Sequence, residues 1–506
     1  MVVVLANGIR RYQGVTVAEQ EAKFVQGSTM KHILTMSGAG SIGLMSLFIV
    51  DLLDMMFISM LGQVELAAAV GFAGTLIFFS TSISIGTSIA MGALVSKELG
   101  AKQRKSAKHL VINILVTAFL VNAVITGIMT YYIPELLTLI GAKGAAFEHA
   151  KDYMYILLPS TPIVALGMAA GAALRAAGDA KRSMMATIWG GVVNAILDPI
   201  FIFVFMWNVE GAALASVISR ATVLTFSLAP LIRQHNLVGR FNYRHWLMSQ
   251  RAIFAIAFPA ICTNIATPVG NAIVTSAIAQ YGEDFVAGFA VMGRLTPVVF
   301  AAIFALSGAV GPIIGQNYGA LRIDRVKETL RNSLLVVTVY CLLVSVVLFF
   351  LQSQIVNAFN LTGDADVLVR TFCTYIAITF LFNGAQFVAN TSFNNLGRPL
   401  YSTALNVGKA TLGTIPFVYL GSALFGALGV LYGQALGNLV FGLIALATLK
   451  FHLKQLDNEA PVEQKEAADD ELDEGLHCVN MQPFCTHDAV AMEELIKSDE
   501  LLMEKK

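Results

Sequence analysis

Residues 334–351 read LLVVTVYCLLVSVVLFFL, a run of eighteen residues without a single charge. An α-helix rises about 1.5 Å per residue, so this run and its flanks can cross a hydrocarbon core about 30 Å thick. The strands of a membrane barrel would alternate apolar and polar residues, and neither this run nor residues 112–133 does so. The sequence therefore predicts transmembrane α-helices.

The composition of the whole chain agrees with this prediction. The 506 residues are 56% hydrophobic and 13% charged, whereas soluble domains carry about 25% charged residues. The net charge of zero is the sum of two regions of opposite charge. Residues 452–506 hold fifteen acidic and five basic side chains, and the rest of the chain has ten excess positive charges. We therefore expect a membrane-embedded core followed by an acidic, disordered tail.

Twelve apolar segments are long enough to span a membrane. We place them at 33–61, 66–95, 109–133, 153–177, 184–207, 211–232, 252–280, 285–316, 333–356, 367–395, 402–424 and 427–451. The loops alternate in charge: one set is rich in residues such as Lys102, Arg104 and Lys105, and the other has little beyond Lys143 and Lys151. The positive-inside rule then predicts a multi-pass protein of the inner (plasma) membrane with both termini in the cytoplasm.

An internal repeat divides the chain. GALVSKELGA at 92–101 aligns with GPIIGQNYGA at 311–320 at a shift of 219, and the same shift relates Gly178 to Gly397. Each half then contains six spans, so the halves are parallel repeats related by an axis along the membrane normal. The predicted divisions are an N-terminal segment 1–32, a first lobe 33–232, a linker 233–251, a second lobe 252–451 and a tail 452–506.

Acidic residues inside spans are functional candidates, because an ionised carboxylate is costly in a bilayer. Asp51, Asp54 and Asp198 lie clearly within spans, all in the first lobe. If spans 1 and 5 face each other, Asp54, Asp198 and Asn194 form a pocket whose two carboxylates cannot both ionise cheaply, so the pair would bind H⁺ or Na⁺. Alternatively each acid caps a broken helix or bonds a hydroxyl, which we favour for Asp51. Pro199 would kink the helix or act as a hinge.

Other polar residues lie within spans of the second lobe and are candidates for the substrate path, together with Asp51. They are Arg294, Lys409, Asn271, Gln386 and Asn390, with Asn383 nearby. Snorkelling and pairing between helices explain the two basic residues at least as well, and amides more often join helices than bind ligands.

Four residues of the tail form a weak candidate metal site. They are His477, Cys478, Cys485 and His487. Their spacing is not a familiar zinc pattern, so solvated residues of a tail are the favoured explanation.

Two motifs of the first half stand out: DMMFISMLGQVELAA at 54–68, and LRAAGDAKRSMMATIWGGVVNAILDPIFIF at 174–203, which is continued by VEGAALAS at 209–216. GQNYGA at 315–320 and IPFVYL at 415–420 accompany them in the second half. Together these motifs resemble the multidrug and toxic compound extrusion (MATE) family, and look most similar to its DNA-damage-inducible (DinF-like) prokaryotic branch.

The resemblance implies an all-α, V-shaped pair of six-helix lobes that exports drugs or other amphipathic, often cationic, compounds in exchange for H⁺ or Na⁺. It places Asp54, Asn194 and Asp198 on the family's cation-site positions, and Ser216 where family members have Thr. Two departures are a lack of Asn around 168–171 and a lack of acids deep in the second lobe, so no cation site is expected there. We expect a monomer in the lipid bilayer, with no enzymatic activity, no cofactor and no nucleic-acid partner.

Two other functions remain as alternatives. A flippase for a lipid-linked precursor would share the lobes and the repeat, but it typically lines its cavity with several basic residues, and here only Arg294 and Lys409 qualify. An intramembrane aspartyl protease needs two membrane aspartates. It would also need a Gly-x-Gly-Asp motif, whereas Gly178-Asp179 follows Ala177 at a helix end.

Overall fold

The computed structural model describes residues 22–61 and 64–470, and all regular secondary structure in these ranges is helical. The α-helices are α1 Thr29–Ser59, α2 Val64–Gly100, α3 Arg104–Tyr131, α4 Ile133–Leu139, α5 Gly144–Leu157, α6 Thr161–Ala176, α7 Ala180–Pro199, α8 Asn208–Arg233, α9 Tyr243–Ala279, α10 Glu283–Val299, α11 Ala301–Gly319, α12 Ile323–Ala358, α13 Gly363–Thr371, α14 Phe380–Asn395, α15 Pro399–Thr411 and α16 Ile415–Asp470. Short 3₁₀ or π-helical segments join some of them: Leu158–Ser160, Ile200–Val204, Phe372–Ile376 and Ala377–Thr379.

The number of spans follows from the length and apolar character of these helices. Within the described ranges, ten helical segments are long and apolar enough to cross a membrane. The pair α10 and α11, bent by 45° at Phe300, forms an eleventh span. One of the ten, Pro399–Leu456, is 58 residues long, about twice what a bilayer requires.

That long segment folds back on itself at Gly426, where φ is +62°. A Cβ atom added to Gly421 would lie 2.0 Å from the carbonyl oxygen of Gly429, and one added to Gly437 would lie 1.8 Å from that of Gly413. Such paired contacts require two antiparallel helices whose backbones touch through glycine. The segment therefore contains two spans, and the predicted total of twelve is confirmed.

Several predicted boundaries differ from the structure, because helices begin or end outside the predicted spans and some spans are interrupted. Helix α1 begins at Thr29, with Ser28 as its N-cap, rather than at residue 33. The predicted span 285–316 is broken at Phe300. The last helix continues to Asp470, past the predicted start of the tail at residue 452. Repeated Glu, Gln, Lys and Ala residues in this stretch favour a helix even where it leaves the apolar core.

The two copies of the repeat lie against each other at the end of the molecule that carries the basic loops. A Cβ atom added to Gly100 would lie 2.0 Å from the main-chain carbonyl oxygen of Gln316. One added to Gly319 would lie 2.0 Å from the main-chain carbonyl oxygen of Lys97. Gln316 and Gly319 stand 219 positions after Lys97 and Gly100. The contact is therefore symmetric between the lobes, and it requires glycine because any side chain would overlap the opposite backbone.

The residues that precede α1 join the lobes at the same end. Phe24 is 1% exposed, and its backbone N–H donates to Gln316 Oε1 at 2.8 Å. Gln316 Nε2 in turn donates to the Ala176 carbonyl of the first lobe at 2.7 Å, and Lys23 Nζ donates to the Gly178 carbonyl at 2.7 Å. These bonds connect the end of α6 with α11 and close the molecule on this side.

Toward the opposite end a half-open cavity of about 450 Å³ lies between α1 and α10. Its lining residues are Phe48, Asp51, Leu52, Met55, Met56, Arg294, Pro297 and Val298. The predicted V-shaped pair of lobes is thus joined at the basic end and has a half-open cavity toward the other.

Candidate functional site

Close packing of α7 between α1 and α8 shapes the interior of the first lobe. A Cβ atom added to Gly191 would lie 2.9 Å from Val50 Cγ2 on α1, and one added to Gly190 would lie 2.3 Å from Val223 Cγ2 on α8. Two adjacent glycines therefore let α7 approach both neighbours. One turn further along α7, side chains can reach directly across to α1.

Asn194 makes this connection by bridging two carboxylates. Its Nδ2 donates to Asp198 Oδ2 at 2.7 Å and to Asp54 Oδ1 at 3.2 Å. Asp198 and Asn194 are buried, Asp54 is half-buried, and Asp198 Oδ1 has no hydrogen-bond partner among the described residues. The structure thus brings together the three residues that the sequence placed in one pocket.

A cation within a span of the first lobe bonds groups other than these carboxylates. Arg220, on α8, donates to the Leu157 carbonyl at 3.0 Å and to Ser160 Oγ at 2.6 Å. It therefore satisfies the interrupted end of α5 rather than a carboxylate. The residues predicted from sequence did not include Arg220, although an ionisable residue in the middle of the span 211–232 meets the criterion that singled out the aspartates.

One neutral amide cannot neutralise two carboxylates in an apolar interior. If both of the carboxylates bridged by Asn194 were ionised, they would repel each other and lose their hydration, at a cost of several kcal/mol each. A proton or a small cation removes that cost. The pocket formed by Asp54, Asn194 and Asp198, with a free oxygen on Asp198, has the chemistry to hold either.

Pro199 ends the regular α-helix directly after Asp198. Proline lacks an N–H, so the Ala195 carbonyl loses its partner within the helix. The next five residues, Ile200–Val204, are π-helical, and the Phe205 N–H donates to the Ile200 carbonyl at 3.0 Å. We expected a kink or hinge here, and the structure shows a π segment, a feature that often marks functional sites.

The other end of α7 is anchored by Asp179, outside the membrane-spanning part. Its carboxylate accepts from the Arg182 N–H at 3.2 Å and from the Arg182 guanidinium, and it lies 2.8 Å from His235 Nε2. Burial alone would raise the pKa of Asp179, but these hydrogen bonds outweigh burial and hold the pKa below its usual range. The charged cap fixes the start of the helix that carries Asn194 and Asp198.

Two further candidates of the first lobe make no hydrogen bond to this pocket in the described structure. Ser216 is half-buried on α8 and makes no hydrogen bond to either carboxylate in the described structure. Asp51 is exposed and lines the cavity between α1 and α10, where Arg294 lines the facing wall.

The second lobe contains a different polar cluster, between α14 and α15. Lys409 Nζ donates to Asn383 Oδ1 at 2.5 Å, and Gln386 Nε2 donates to the Leu405 carbonyl at 3.4 Å. Asn390 is buried, and its Oδ1 has no partner among the described residues. Asn271 is exposed on α9 and makes no side-chain bond to this cluster in the described structure.

The weak metal candidates His477, Cys478, Cys485 and His487 lie outside the described residues. Within the described ranges, no group of three or more His, Cys, Asp or Glu residues could hold a metal ion.

Comparison with known proteins agrees with this architecture. The MatE family model matches residues 41–200 and 259–420, one match in each half. The "FAD transporter" of Shewanella oneidensis is 27% identical over 417 residues, covering 81% of this chain and 92% of that protein. The "Multidrug export protein MepA" of Staphylococcus haemolyticus is 26% identical over 433 residues, covering 85% and 95%.

A solved structure shows the same fold. The crystal structure of a mutant of the Vibrio cholerae MATE transporter VcmN has a TM-score of 0.80 at 24% identity, covering 84% of this chain and 97% of that one. These relatives establish the family, and they do not single out its DNA-damage-inducible branch. They also exclude the protease alternative, because the family consists of transporters. The chain is a multi-pass inner-membrane transporter and belongs to the MATE family.

Proposed function

We propose that this transporter is a secondary active antiporter that exports amphipathic organic compounds in exchange for H⁺ or Na⁺, and that the coupling ion binds at Asp54, Asn194 and Asp198. The observation that carries the proposal is the Asn194 amide, which draws two membrane-embedded carboxylates together while one buried carboxylate oxygen has no partner among the described residues. The names of the two relatives, one a FAD transporter and one a multidrug exporter, support organic molecules as cargo.

Helix α1 links ion binding to the substrate cavity. Asp54 faces the carboxylate pocket, while the adjacent Met55 and the nearby Asp51 line the cavity. A change in the charge of the pocket alters how strongly α1 is held against α7, and therefore alters the cavity wall. Exchange requires that ion and substrate favour different arrangements of this helix, because a ligand shifts an equilibrium only by its difference in affinity.

The orientation follows from the positive-inside rule if the basic loops face the cytoplasm. With that orientation both termini are cytoplasmic, the closed end with Gly100 and Gly319 is cytoplasmic, and the cavity is in the outer half. The structure then corresponds to a state closed on the cytoplasmic side. We propose that the transporter works in this way as a monomer in the bilayer.

The flippase alternative requires a cavity lined by several basic residues. Arg294 is the basic residue that lines the cavity between α1 and α10. Lys409 is held by Asn383 inside the second lobe. Export of small amphipathic compounds fits this lining better.

Transport by the reconstituted protein under an imposed gradient tests the proposal. Proteoliposomes would carry a pH gradient or a sodium gradient, with ethidium and flavin mononucleotide as fluorescent probes. The wild type should transport under one of the gradients, and Asp54→Asn and Asp198→Asn should not, although both variants elute as monodisperse protein. Asp284→Asn, the same charge change at the exposed start of α10, is the matched control. Full gradient-driven transport by either pocket variant would overturn the proposal.

A further inference from the structure

Arg294 is a charged residue near the middle of the membrane whose guanidinium has no bonded partner among the described residues. It lies eleven residues into α10, about 16 Å along the helix axis, in a hydrocarbon core about 30 Å thick. Its side chain is exposed and lines the cavity between α1 and α10. Asp51 lines the same cavity, but no ion pair joins it to Arg294 in the described structure.

A guanidinium at this depth is costly unless something pairs with it. The second lobe offers no acid for this purpose, since its described acidic side chains, such as Asp324 and Glu328, lie in the first two turns of their helices. The other deep cation of this lobe, Lys409, is held by an amide. The wall that the second lobe contributes is therefore positive and lacks a counter-ion.

The rest of the cavity suits an apolar body. Its other walls are formed by Leu52, Met55 and Met56 of α1 and by Pro297 and Val298 of α10. Methionine side chains are flexible and polarizable and adapt to ligands of different shape. A volume of about 450 Å³ falls in the usual range of about 300–1,000 Å³ for small-molecule sites.

We propose that this cavity binds amphipathic compounds that carry an oxyanion, a phosphate or a carboxylate, and that Arg294 is the residue that recognises that group. A planar guanidinium donates two parallel hydrogen bonds to such a group, and the methionine-rich wall takes the apolar body. The inference rests on the proposed function, because it names the class of compound that the exporter carries. A soluble nucleotide and a phospholipid headgroup both present this chemistry.

A matched pair of ligands isolates the contribution of the phosphate. Riboflavin and flavin mononucleotide share the ring system and the ribityl chain and differ by one phosphate. Their binding to the purified full-length protein would be measured by flavin fluorescence in a maltoside detergent, which contains no phosphate. The wild type should bind the mononucleotide about tenfold more tightly or better, as expected for a charge-assisted, bidentate bond.

Substitutions then test whether Arg294 causes the preference for flavin mononucleotide over riboflavin. Arg294→Gln should remove the preference, so that the two flavins bind with equal affinity, and Arg294→Lys should retain part of it. Arg322→Gln, at an exposed arginine outside the cavity, should keep the full preference. An equal affinity of the wild type for both flavins, or an unchanged preference in Arg294→Gln, would overturn the proposal.

Two further measurements are needed. One distinguishes a lipid from a soluble ligand, and the other separates the cavity proposal from the ion-coupling proposal. Competition by added phosphatidylglycerol would support recognition of a lipid phosphate, and binding that is insensitive to it would support a soluble ligand. Binding is measured without an ion gradient, and Asp284→Asn, outside both the carboxylate pocket and the cavity, should retain the preference for the mononucleotide. If Asp54→Asn transports normally, the coupling proposal fails alone. If the phosphate preference is absent while Asp54→Asn abolishes transport, the cavity proposal fails alone.

Discussion

The two lobes are built from one helical repeat, yet the ionisable groups inside them differ. The first lobe holds the carboxylate pocket with Asp198, and the second holds Lys409 against an amide. A shift of 219 takes Asp198 to Phe417, and the reverse shift takes Lys409 to Gly190. Neither charged group therefore has a counterpart in the other half.

Unlike the charged groups, the glycines at the contact between the lobes have counterparts in both halves. Gly100 and Gly319 occupy equivalent positions of the repeat and make equivalent contacts. Duplication has thus kept the packing that joins the lobes and has not kept the polar chemistry inside them. A charge in the membrane is costly, so its presence in one lobe alone indicates that the lobes differ in function. In the proposed mechanism the first lobe binds the coupling ion and Arg294 of the second lobe recognises the substrate.

The largest expected effect on transport is the contrast between two variants, one that removes the charge of Asp198 in the first lobe and one that removes the charge of Lys409 in the second. Asp198→Asn should lower gradient-driven transport by about a hundredfold or more, since it destroys a buried charged site. Lys409→Met should leave transport coupled to the gradient. Initial rates in proteoliposomes with and without the gradient measure this contrast. Loss of coupling in Lys409→Met together with normal coupling in Asp198→Asn would reverse our assignment of the lobes.

Removing the bridge between the carboxylates should have the next largest effect. Asn194→Ala deletes two hydrogen bonds that stabilise the ionised carboxylates, so the apparent affinity for the coupling ion should change by about tenfold to hundredfold. It should become tighter if the ion is H⁺, because the protonated form gains, and weaker if the ion is Na⁺, because the bridge between the carboxylates is lost. The dependence of the transport rate on ion concentration measures this affinity. Asn383→Ala removes the amide that holds Lys409 in the second lobe and serves as the comparison; its ion dependence should match the wild type. Equal shifts in both variants would argue against a separate ion site.

Separation of α1 from α7 should have a smaller effect. In Gly191→Val the new side chain would overlap Val50 and push Asp54 away from Asn194. We expect the apparent ion affinity to change by about tenfold, as for the loss of one charge-assisted hydrogen bond, upward for H⁺ and downward for Na⁺. Gly127→Val is the control, because a Cβ atom at Gly127 meets nothing within 4 Å. If both variants behave alike, the close approach of the helices is irrelevant to ion binding.

The smallest effect concerns the contact between the lobes. Gln316→Ala leaves the Phe24 N–H and the Ala176 carbonyl without their partner, at a cost of about 1–3 kcal/mol for each buried group. The thermal unfolding temperature of the detergent-solubilised protein should fall by a few degrees. Gln354→Ala, at an exposed position on α12, should leave it unchanged. An unfolding temperature that is unchanged in Gln316→Ala would show that this bridge does not stabilise the closed end.

The features that the sequence predicted depend on local rules. Apolar length located the twelve spans, and the cost of a buried charge selected Asp54 and Asp198. The spacing of Asn194 and Asp198 on one helix face then led to the pocket. The presence of the repeat was visible from Gly100 and Gly319, although their mutual contact was not.

The features that it missed depend on partners distant in the chain. Arg220 bonds the end of a helix about 60 residues earlier, and Phe24 is buried by residues of the second lobe. The break at Phe300, three residues after Pro297, was not predicted from the apolar run 285–316. The helix to Asp470 continues beyond the apolar boundary because its residues favour helix formation.

Release of the coupling ion on substrate addition tests the central claim most directly. Purified protein would receive ethidium or flavin mononucleotide, whichever it transports, while a pH-sensitive dye records protons and radioactive sodium records Na⁺. The wild type and Lys409→Met should release one of the two ions, and Asp198→Asn should release neither. Release from Asp198→Asn at the level of the wild type would contradict a coupling site in the first lobe.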